Sequence, residues 1–269
     1  MAERASWVPD DVTDTTPSAA RIYDYLLGGG HNFAVDREMV DKLTAAAPMI
    51  GQWALVNRAF LRRAVLALVE RGVRQFLDIG SGIPTVGNVH EIAQQADPQA
   101  RVVYVDNEPV AISHSELVLE GNDRATAILA DLRDPAGILE HPKTRQMLDF
   151  DAPIGLLMVT VLHYIPDSDD PMELLGRYRQ ALVPGSHLVL SHGNADADSP
   201  GITGIAESMK NSSSAFYPRT RDAITSMFTG FELIEPGLVA VPEWRPGARQ
   251  HGSGGPDHRA LLAGVGIRL

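Results

Sequence analysis

Hydrophobic residues recur at helical spacing in the first quarter of this chain. Apolar side chains four residues apart lie on one face of a helix, and the longest such series is Val56, Phe60, Ala64 and Leu68. The pattern predicts three helices, at residues 19–27, 37–47 and 51–71. Ser18 and Asp36 are the expected N-caps of the first two, and a run of three glycines from Gly28 ends the first. These helices form an extension ahead of the first strand.

From Val73 onward, short apolar strands alternate with helical segments. This alternation is typical of βαβ units and predicts an α/β fold with a parallel sheet. The predicted strands are 74–79, 101–106, 126–130, 154–160, 187–191, 231–235 and 261–268. The predicted helices lie near 86–95, after Pro109, and near 135–140, 143–148, 171–182, 202–210 and 220–228. Because no helix joins the last two strands, we expect them to be antiparallel neighbours.

Three of the predicted strands end in an aspartate, namely Asp78, Asp106 and Asp131. After the first of these, Gly80 and Gly82 break the strand into a turn. The carboxyl ends of parallel strands meet at one edge of a sheet, where such glycines let the backbone approach a ligand. An acid after the second strand can hold both ribose hydroxyls, and an oxygen of Asp131 can accept from an adenine amino group. The pattern therefore indicates an edge that binds a nucleoside.

Each of these features also has a structural interpretation. A Gly-x-Gly sequence after a strand can be no more than a tight turn, Asp106 can cap the following helix, and Asp131 can serve in a cap or turn. A nicotinamide or flavin site is the functional alternative. Dinucleotide sites carry Gly-x-Gly-x-x-Gly, however, and Thr85 stands where their third glycine belongs. This difference disfavours a nicotinamide-dependent oxidoreductase.

Composition narrows the possible partners. A chain of 269 residues suits one α/β domain with extra helices, and its formal net charge of -11 argues against binding to a nucleic acid backbone. The absence of cysteine excludes disulfides, thiolate metal sites and a cysteine nucleophile. The 9 histidines show no metal-binding spacing, so we expect no metal. With neither a signal-peptide pattern nor an apolar run long enough for a membrane span, we expect a cytoplasmic protein that acts on a small molecule.

Four segments resemble the successive motifs of class I S-adenosylmethionine-dependent methyltransferases: Leu77–Gly82, Val105–Asp106, Ala130–Leu132 and Leu182–Ser186. More narrowly, the chain resembles an actinobacterial family of these proteins, long catalogued as a domain of unknown function. The segments that carry this narrower resemblance are Pro17–Gly29, Asn57–Leu61, Val161–Tyr164, Ser191–His192, Glu235–Val239 and Pro242–Pro246. The resemblance extends over nearly everything from residue 15 to the end.

The resemblance implies a Rossmann-like sheet of seven strands, mostly parallel with the last strand antiparallel, and an N-terminal helical extension. It divides the chain into a flexible tail at 1–17, a helical cap at 18–72 and a cofactor-binding core at 73–269. The implied cofactor is S-adenosylmethionine, and the product is S-adenosylhomocysteine. The methyl acceptor and the oligomeric state stay open. Pro84 and Thr85 depart from the glycine that many methyltransferases have in this loop, which bears on how closely the loop packs on the cofactor.

The residues expected at the cofactor are Tyr23, Gly28, Gly29, Asn32, Asp78, Gly80, Ser81, Gly82, Asp106, Asn107, Asp131, Leu132 and Thr160. In this interpretation Asp106 holds the ribose, while Asp131 and Leu132 face the adenine. The glycine turn leaves room for the methionine part of the cofactor, and Asp78 lies near the ammonium group of that part. The ring of Tyr23 is expected to face the positively charged sulfur, although an aromatic residue at a helical position is by default part of a core or surface.

His163 follows the fourth strand and is the candidate base that takes a proton from the acceptor. A lone histidine is usually a structural hydrogen-bonding residue, and His192, after the fifth strand, has a weaker claim for the same reason. Trp244–Pro246 is expected to be a structural loop; in the alternative interpretation Arg245 binds an acceptor carboxylate. Because no residue is an unmistakable catalyst, a sensor that binds the cofactor or its demethylated product without turnover is the alternative function.

Overall fold

The computed structural model describes residues 14–85, 87–197, 199–212, 214–246 and 259–269. Most of the predicted tail at 1–17 and the whole predicted loop at 251–257 lie outside these residues. Within them the chain forms one eight-stranded sheet with apolar clusters on both of its faces. The order of strands and helices confirms the predicted α/β fold.

The strands are β1 Gln75–Ile79, β2 Arg101–Asp106, β3 Ala125–Leu129, β4 Gly155–Val159, β5 His187–Gly193, β6 Glu232–Leu233, β7 Val239–Ala240 and β8 Leu261–Ile267. They pair in the order β3-β2-β1-β4-β5-β8-β6, and β7 also pairs with β8. The strands β1 to β5 pair in parallel, whereas β8 is antiparallel to both β5 and β6. The predicted antiparallel pairing of the last strands is therefore confirmed.

The helices are α1 Ala19–Leu26, α2 Ala34–Ala46, α3 Ile50–Glu70, α4 Val89–Ala96, α5 Pro109–Val118, α6 Pro135–Leu139, α7 Pro142–Met147, α8 Pro171–Gln180, α9 Pro200–Met209 and α10 Arg221–Ser226. Every predicted helix has a counterpart within a few residues of its expected ends. In the described ranges, no helix is long and apolar enough to cross a membrane.

The central strand β1 is buried along its whole length because both faces of the sheet are covered. Phe76 packs into one apolar cluster, and Leu77 and Ile79 pack into the other, as expected for side chains that alternate between the two faces of a strand. Parallel strands covered on both faces are almost continuously apolar. Two buried polar residues interrupt this pattern in β1, namely Gln75 at its start and the acid Asp78 near its end.

The predicted strand at 231–235 is shorter in the structure and has a continuation that was not predicted. Both β6 and β7 pair with β8, at successive parts of that strand. Between them Gly237, with a φ of 85°, donates its N–H to the Ile234 carbonyl at 2.8 Å in a tight turn. Pro236 lacks the N–H that a continuous ladder needs. The two segments therefore form one interrupted edge strand, which gives the sheet the seven positions that the resemblance implies.

The helix α2 begins at Ala34, three residues before its predicted start at 37. Asp36 is therefore inside the first turn, from which its carboxylate accepts the N–H of Phe33 at 2.8 Å. This reach back to the residue before the helix is the part that an acid plays in a capping box. The predicted N-cap role of Asp36 is corrected accordingly. Ser18 precedes α1 as predicted but makes no side-chain cap bond.

A buried ion pair docks the cap helices on the sheet. Nε of Arg21 donates to the Asp36 carboxylate at 2.8 Å, and a terminal nitrogen of Arg21 reaches Glu108 at 3.0 Å. Asp36 also accepts the N–H of Ser18 at 3.0 Å. Because Glu108 precedes α5, this pair joins α1 and α2 to the carboxyl edge of the sheet.

Candidate functional site

A cavity of 230 Å³ lies at the carboxyl edge of the sheet, at the ends of β1, β2 and β4. Residues of α1 and α3 complete its wall from the cap side. Ligands of open α/β sheets bind at this edge, where the strand order reverses. Most of the predicted cofactor residues line the cavity, namely Tyr23, Asp78, Gly80, Ser81, Gly82, Asp106, Asn107, Leu132 and Thr160.

The turn after β1 has a backbone that only glycine adopts readily. Gly80 and Gly82 have φ values of 72° and 67°, in the left-handed region that residues with a Cβ rarely occupy. A Cβ on Gly80 would also lie 2.3 Å from Cγ2 of Val161. Gly80 donates its N–H to the Val105 carbonyl at 2.8 Å, which anchors the turn to the end of β2. The turn thus brings bare backbone to the cavity wall.

Asp106 connects the glycine turn to the start of α5. Its Oδ2 accepts the N–H of Gly82 at 2.7 Å, and its Oδ1 accepts the N–H of Glu108 at 2.9 Å. The bond to Glu108, just before α5, is the helix-capping contact that the structural interpretation of Asp106 predicts. Burial raises the pKa of Asp106 to about 6, against the effect of these two N–H groups. Each carboxylate oxygen can accept more than one bond, so Asp106 can hold two hydroxyl groups while it fixes the turn.

Asp78 and Arg58 bring opposite charges together in the cavity wall. Burial raises the pKa of Asp78 to about 7, an effect that the Arg58 guanidinium opposes and Asp106 reinforces. A cation beside a carboxylate favours the ionised form of that carboxylate. The Asp78 side chain therefore favours a positively charged group on the ligand.

Two buried donors in this wall have no hydrogen-bond partner among the described residues, namely Nε of Arg58 and Oγ of Ser81. A terminal nitrogen of Arg58 donates to Oδ1 of Asn88 at 3.1 Å, which holds the guanidinium in place. Unpaired buried donors cost about 1–3 kcal/mol each, and guanidinium groups bind carboxylates well. With Asp78 beside them, these donors fit a ligand end that carries both a carboxylate and an ammonium group.

Asn57 of α3 links the cap to the ends of β4 and β5. Its amide nitrogen donates to the Tyr23 hydroxyl at 3.1 Å and to Oγ1 of Thr160 at 3.2 Å. Its Oδ1 accepts from the Ser191 hydroxyl at 2.7 Å. The Tyr23 hydroxyl donates in turn to the Ala54 carbonyl at 3.1 Å. Thr160 has a φ of 55°, a strained value for a β-branched residue that persists where the surroundings impose it.

A second cavity, of 80 Å³, adjoins the first at this junction. Tyr23, Asn57, Thr160 and Tyr164 line both cavities. The other described residues of its wall are apolar, with the exception of His163. They come from α1, α2, α3, α9 and β8 and from the segment before α10, so the cap helices build most of this cavity.

His163 lies in the wall of the second cavity and not of the first. Its ring packs against Tyr164, Phe216 and His192, with centroid distances of 4.5, 4.6 and 5.6 Å. Its Nδ1 is buried without a hydrogen-bond partner in the described part of the chain. Burial lowers the pKa of His163 well below its ordinary value, and His192 and Arg219 act in the same direction. The ring is therefore neutral at physiological pH.

The sequence model of the family described as S-adenosyl methyltransferase matches residues 5–269. The chain belongs to this family. A proposed methyltransferase from Thermobifida fusca is 37% identical, with a TM-score of 0.93 over 98% of this chain and 99% of its own. A DUF574 family protein from Streptomyces avermitilis is 35% identical, with a TM-score of 0.91 over 94% of this chain and 98% of its own.

Human N-acetylserotonin methyltransferase, solved in complex with S-adenosylmethionine, is 14% identical over 94% of this chain and 63% of its own. Its TM-score of 0.50 shows a shared fold. None of the curated proteins matches the chain. S-adenosylmethionine is the cofactor of this methyltransferase family. The first cavity fits that molecule, because the unpaired Arg58 and Ser81 donors suit a methionine carboxylate and Asp106 suits a ribose.

Four predicted cofactor residues of the methyltransferase lie outside the lining of the first cavity, namely Gly28, Gly29, Asn32 and Asp131. A Cβ on Gly29 would lie 2.0 Å from Oδ1 of Asp24, and the Gly29 N–H donates to the Asp24 carbonyl at 2.8 Å. Asn32 donates to Oδ2 of Asp24 at 3.2 Å and to the Gly29 carbonyl at 3.0 Å. Gly29 therefore lies tightly against Asp24, and the cofactor contacts expected of Gly28, Gly29 and Asn32 stay predictions.

Asp131 lies between Ala130 and Leu132, which line the first cavity, but does not line it itself. Its carboxylate binds the Arg133 guanidinium, with both oxygens 3.0 Å from Nε, and accepts the Arg133 N–H at 2.9 Å. These bonds lower the pKa of Asp131 and match the structural turn interpretation. Leu132 lines the first cavity, and the adenine contacts of both Asp131 and Leu132 stay predictions.

His192 is not placed to act as a base. Its Nδ1 lies 2.9 Å from the Gly193 carbonyl, and its Nε2 lies 3.1 Å from a terminal nitrogen of Arg219. Because arginine can only donate, Nε2 accepts and Nδ1 carries the proton that is donated to the carbonyl. Both ring nitrogens of His192 are engaged in structural hydrogen bonds, so the structure does not support His192 as the base that takes a proton from the acceptor.

Trp244–Pro246 contains the buried anchor that the structural interpretation predicts. Trp244 is 0% exposed and packs edge to face against Phe60, with centroids 5.4 Å apart. Arg245 donates from Nε to the Glu235 carbonyl at 3.1 Å and lies over the Trp244 ring. Arg245 lines neither of the two cavities, so its alternative role at an acceptor carboxylate is not supported.

Asn57 and Arg58 are site residues that were not predicted from the sequence. Both lie in α3, where the apolar spacing predicts a face that only packs against the core. One signal did exist, because the segment Asn57–Leu61 is among those that carry the narrow family resemblance. A buried asparagine on an otherwise apolar helix face also calls for hydrogen-bond partners, and here those partners come from β4, β5 and α1.

Proposed function

We propose that this methyltransferase binds S-adenosylmethionine in the first cavity and transfers its methyl group to a small-molecule acceptor. When bound, the cofactor supplies a methyl group whose bond to a positively charged sulfur breaks with both electrons kept by sulfur. The protein then mainly has to place the acceptor in line with that bond, and such positioning can supply several kcal/mol of the barrier reduction.

The observation that carries this proposal is the set of unpaired donors beside Asp78. Arg58 and Ser81 bind the methionine carboxylate, and Asp78 pairs with the ammonium group. Asp106 holds the two ribose hydroxyls while its other lone pairs keep the glycine turn in place. Leu132 packs against the adenine. The methionine carboxylate would thus pair with the two buried donors, Arg58 Nε and Ser81 Oγ, that have no partner among the described residues.

The acceptor approaches from the second cavity, through the junction formed by Tyr23, Asn57 and Thr160. An acceptor oxygen or protonated nitrogen must lose a proton on methylation, and His163 is the proposed base. General base catalysis contributes about 10²- to 10⁴-fold. If the protein binds the cofactor in this pocket but transfers no methyl group, it acts as a sensor of the cofactor and its demethylated product.

The cofactor assignment is tested with Arg58→Met and calorimetric titration of S-adenosylhomocysteine. Loss of a charged hydrogen-bond donor should weaken binding by about 10- to 100-fold. The affinity for 5′-methylthioadenosine, which lacks the amino-acid end, should not change. Arg62→Met is the matched control, because Arg62 is an exposed arginine of the same helix. Equal effects of the two substitutions would remove Arg58 from the site.

Asp106→Ala should weaken the binding of both adenosine compounds, because each contains the ribose. A normal affinity in the folded variant would remove Asp106 from the ribose site. Catalysis is tested by incubating the wild-type protein with methyl-labelled cofactor and a metabolite extract of the source organism. A labelled product supports the transferase, whereas normal cofactor binding without any labelled acceptor favours the sensor.

A further inference from the structure

We propose that the second cavity is the acceptor site, and that it selects an uncharged, mostly apolar molecule whose hydroxyl group bonds to His163. The inference rests on the proposed function, because it takes the first cavity to be the cofactor site. It goes further in naming the chemical class of the acceptor.

The wall of the second cavity excludes ions on physical grounds. Among the described residues that line it, none carries a charged side chain, and its apolar residues include Ile22, Ile50, Trp53, Ile202, Ile205 and Met209. A charged group that leaves water for an apolar site without a partner of opposite charge is strongly disfavoured. A neutral apolar molecule gains from the same transfer. The cavity therefore selects against carboxylates, phosphates and ammonium groups.

The polar groups of this cavity favour one hydroxyl on the acceptor. Tyr23, Asn57 and Thr160 already bond to one another, so their hydrogen-bonding capacity is largely used, and Tyr164 and His163 are the polar residues of the wall outside this group. His163 differs, because its buried Nδ1 has no partner among the described residues. A neutral imidazole has one donor and one acceptor nitrogen, and a hydroxyl can pair with either. A bound hydroxyl would thus satisfy a group that the folded protein leaves unpaired.

The position of His163 also suits the proton balance of the reaction. The acceptor oxygen forms its bond to the methyl carbon as its O–H bond breaks, and the proton passes to Nδ1. The site then holds one positive charge before the transfer, on sulfur, and one after it, on the imidazole. The total charge of the two adjoining cavities therefore does not change, and the positive charge moves from the sulfur to His163. Arg219, held by Asp167 and bonded to His192, is the fixed cation nearby.

Two helices that contribute to the wall of this cavity pack tightly against each other. The helices α2 and α9 both contribute to its wall, and they meet through small residues. A Cβ on Gly201 would lie 3.0 Å from the Ala47 Cβ, and one on Gly204 would lie 2.8 Å from the Ala46 Cβ. The two helices therefore hold the apolar residues Leu43, Ile202 and Ile205 in a fixed part of the wall.

The test uses four probes on one scaffold: 4-methylphenol, toluene, 4-methylbenzoate and 4-methylbenzylamine. Each is titrated by ligand-detected NMR into the protein saturated with S-adenosylhomocysteine. We expect 4-methylphenol to bind about threefold to tenfold more tightly than toluene, the gain of one hydrogen bond. The two charged probes should bind more weakly than toluene. Equal or tighter binding of either ion would overturn the proposal.

Variants locate the binding site. Ile205→Trp fills the cavity and should abolish the binding of both neutral probes without changing the affinity for S-adenosylhomocysteine. His163→Phe should remove the preference for 4-methylphenol over toluene, and His163→Asn, whose amide can replace Nδ1, should restore part of it. A preference that survives His163→Phe, or probe binding that survives Ile205→Trp, would refute the site. Failure of the proposed function would give a different result from failure of this inference, because the wild-type protein would then not bind S-adenosylhomocysteine at all.

Discussion

Replacing Arg21 by methionine should lower the free energy of unfolding by about 3 kcal/mol. The change leaves Asp36, which is 0% exposed, without the guanidinium that lies 2.8 Å from its carboxylate. Removing one partner of a buried ion pair costs about 3–5 kcal/mol, because the other charge stays buried and unpaired. Asp36 keeps the N–H groups of Ser18 and Phe33, so the lower end of that range is expected.

Urea denaturation followed by circular dichroism measures this loss directly. For a chain of this length, about 3 kcal/mol corresponds to a fall in melting temperature of roughly 6–12 °C. Arg133→Met is the matched control, because Arg133 is also paired with an aspartate but has a side chain that is 52% exposed. Exposed pairs contribute about 0–1 kcal/mol, so the control should change stability little.

The double substitution Arg21→Met and Asp36→Leu separates the charge from the packing. It removes both ions, and an apolar pair in place of a buried ion pair is often neutral in stability. We therefore expect the double variant to recover part of the loss of Arg21→Met. Two outcomes would refute this account of cap docking. One is a loss of unfolding free energy in Arg21→Met that is smaller than the loss in Arg133→Met. The other is a double variant whose loss exceeds the sum of the losses in the two single variants.

Four further substitutions test contacts elsewhere in the fold. Gly80→Ala should reduce the affinity for S-adenosylhomocysteine at least tenfold in calorimetry, because Gly80 has a φ of 72° and the new Cβ would lie 2.3 Å from Cγ2 of Val161. An affinity equal to that of the wild-type protein would contradict the tight turn. Gly204→Ala should lower the free energy of unfolding despite its better helix propensity, because its Cβ would lie 2.8 Å from that of Ala46. Gly176→Ala, where the nearest atom is 4.0 Å away, should instead stabilise by up to about 1 kcal/mol. The pKa of Asp78 is raised to about 7, so the folded protein binds more protons than the unfolded chain between about pH 4 and 7, and stability falls as the pH rises through this window. Asp78→Asn should flatten that fall in urea titrations, and an unchanged slope would contradict the raised pKa.

The sheet could be predicted from the sequence because its signals are local. Strands buried on both faces are short apolar runs, and the helices between them carry their own periodicity. The glycine turn was predictable for a related reason, since Gly80 and Gly82 adopt backbone angles that few other residues tolerate. Asp106 follows from the topology, because the ends of adjacent parallel strands meet at one edge.

The partners of the cap residues could not be predicted in the same way. A glycine run shows that the backbone is unusual or that something comes close, but not what comes close. Gly29 and Asn32 surround Asp24, although the same residues could equally have faced a ligand. Arg58 presents the reverse case, because it lies outside the apolar series of α3 and nothing in the helical spacing marks it as a site residue, while the fold brings it to Asp78. Such assignments depend on contacts between segments that are far apart in sequence.

The two cavities share a wall, and α3 provides the part that couples them. Asn57 bonds to Tyr23 and Thr160 at the boundary, while the next residue, Arg58, reaches the carboxylate end of the proposed cofactor site. A shift of α3 therefore cannot alter one cavity alone, because adjacent residues of one rigid helix serve both. Cofactor bound to Arg58 would hold α3 in position and with it the wall that receives the acceptor. Binding of cofactor and acceptor should thus be cooperative, and by thermodynamic reciprocity each should raise the affinity for the other by the same factor.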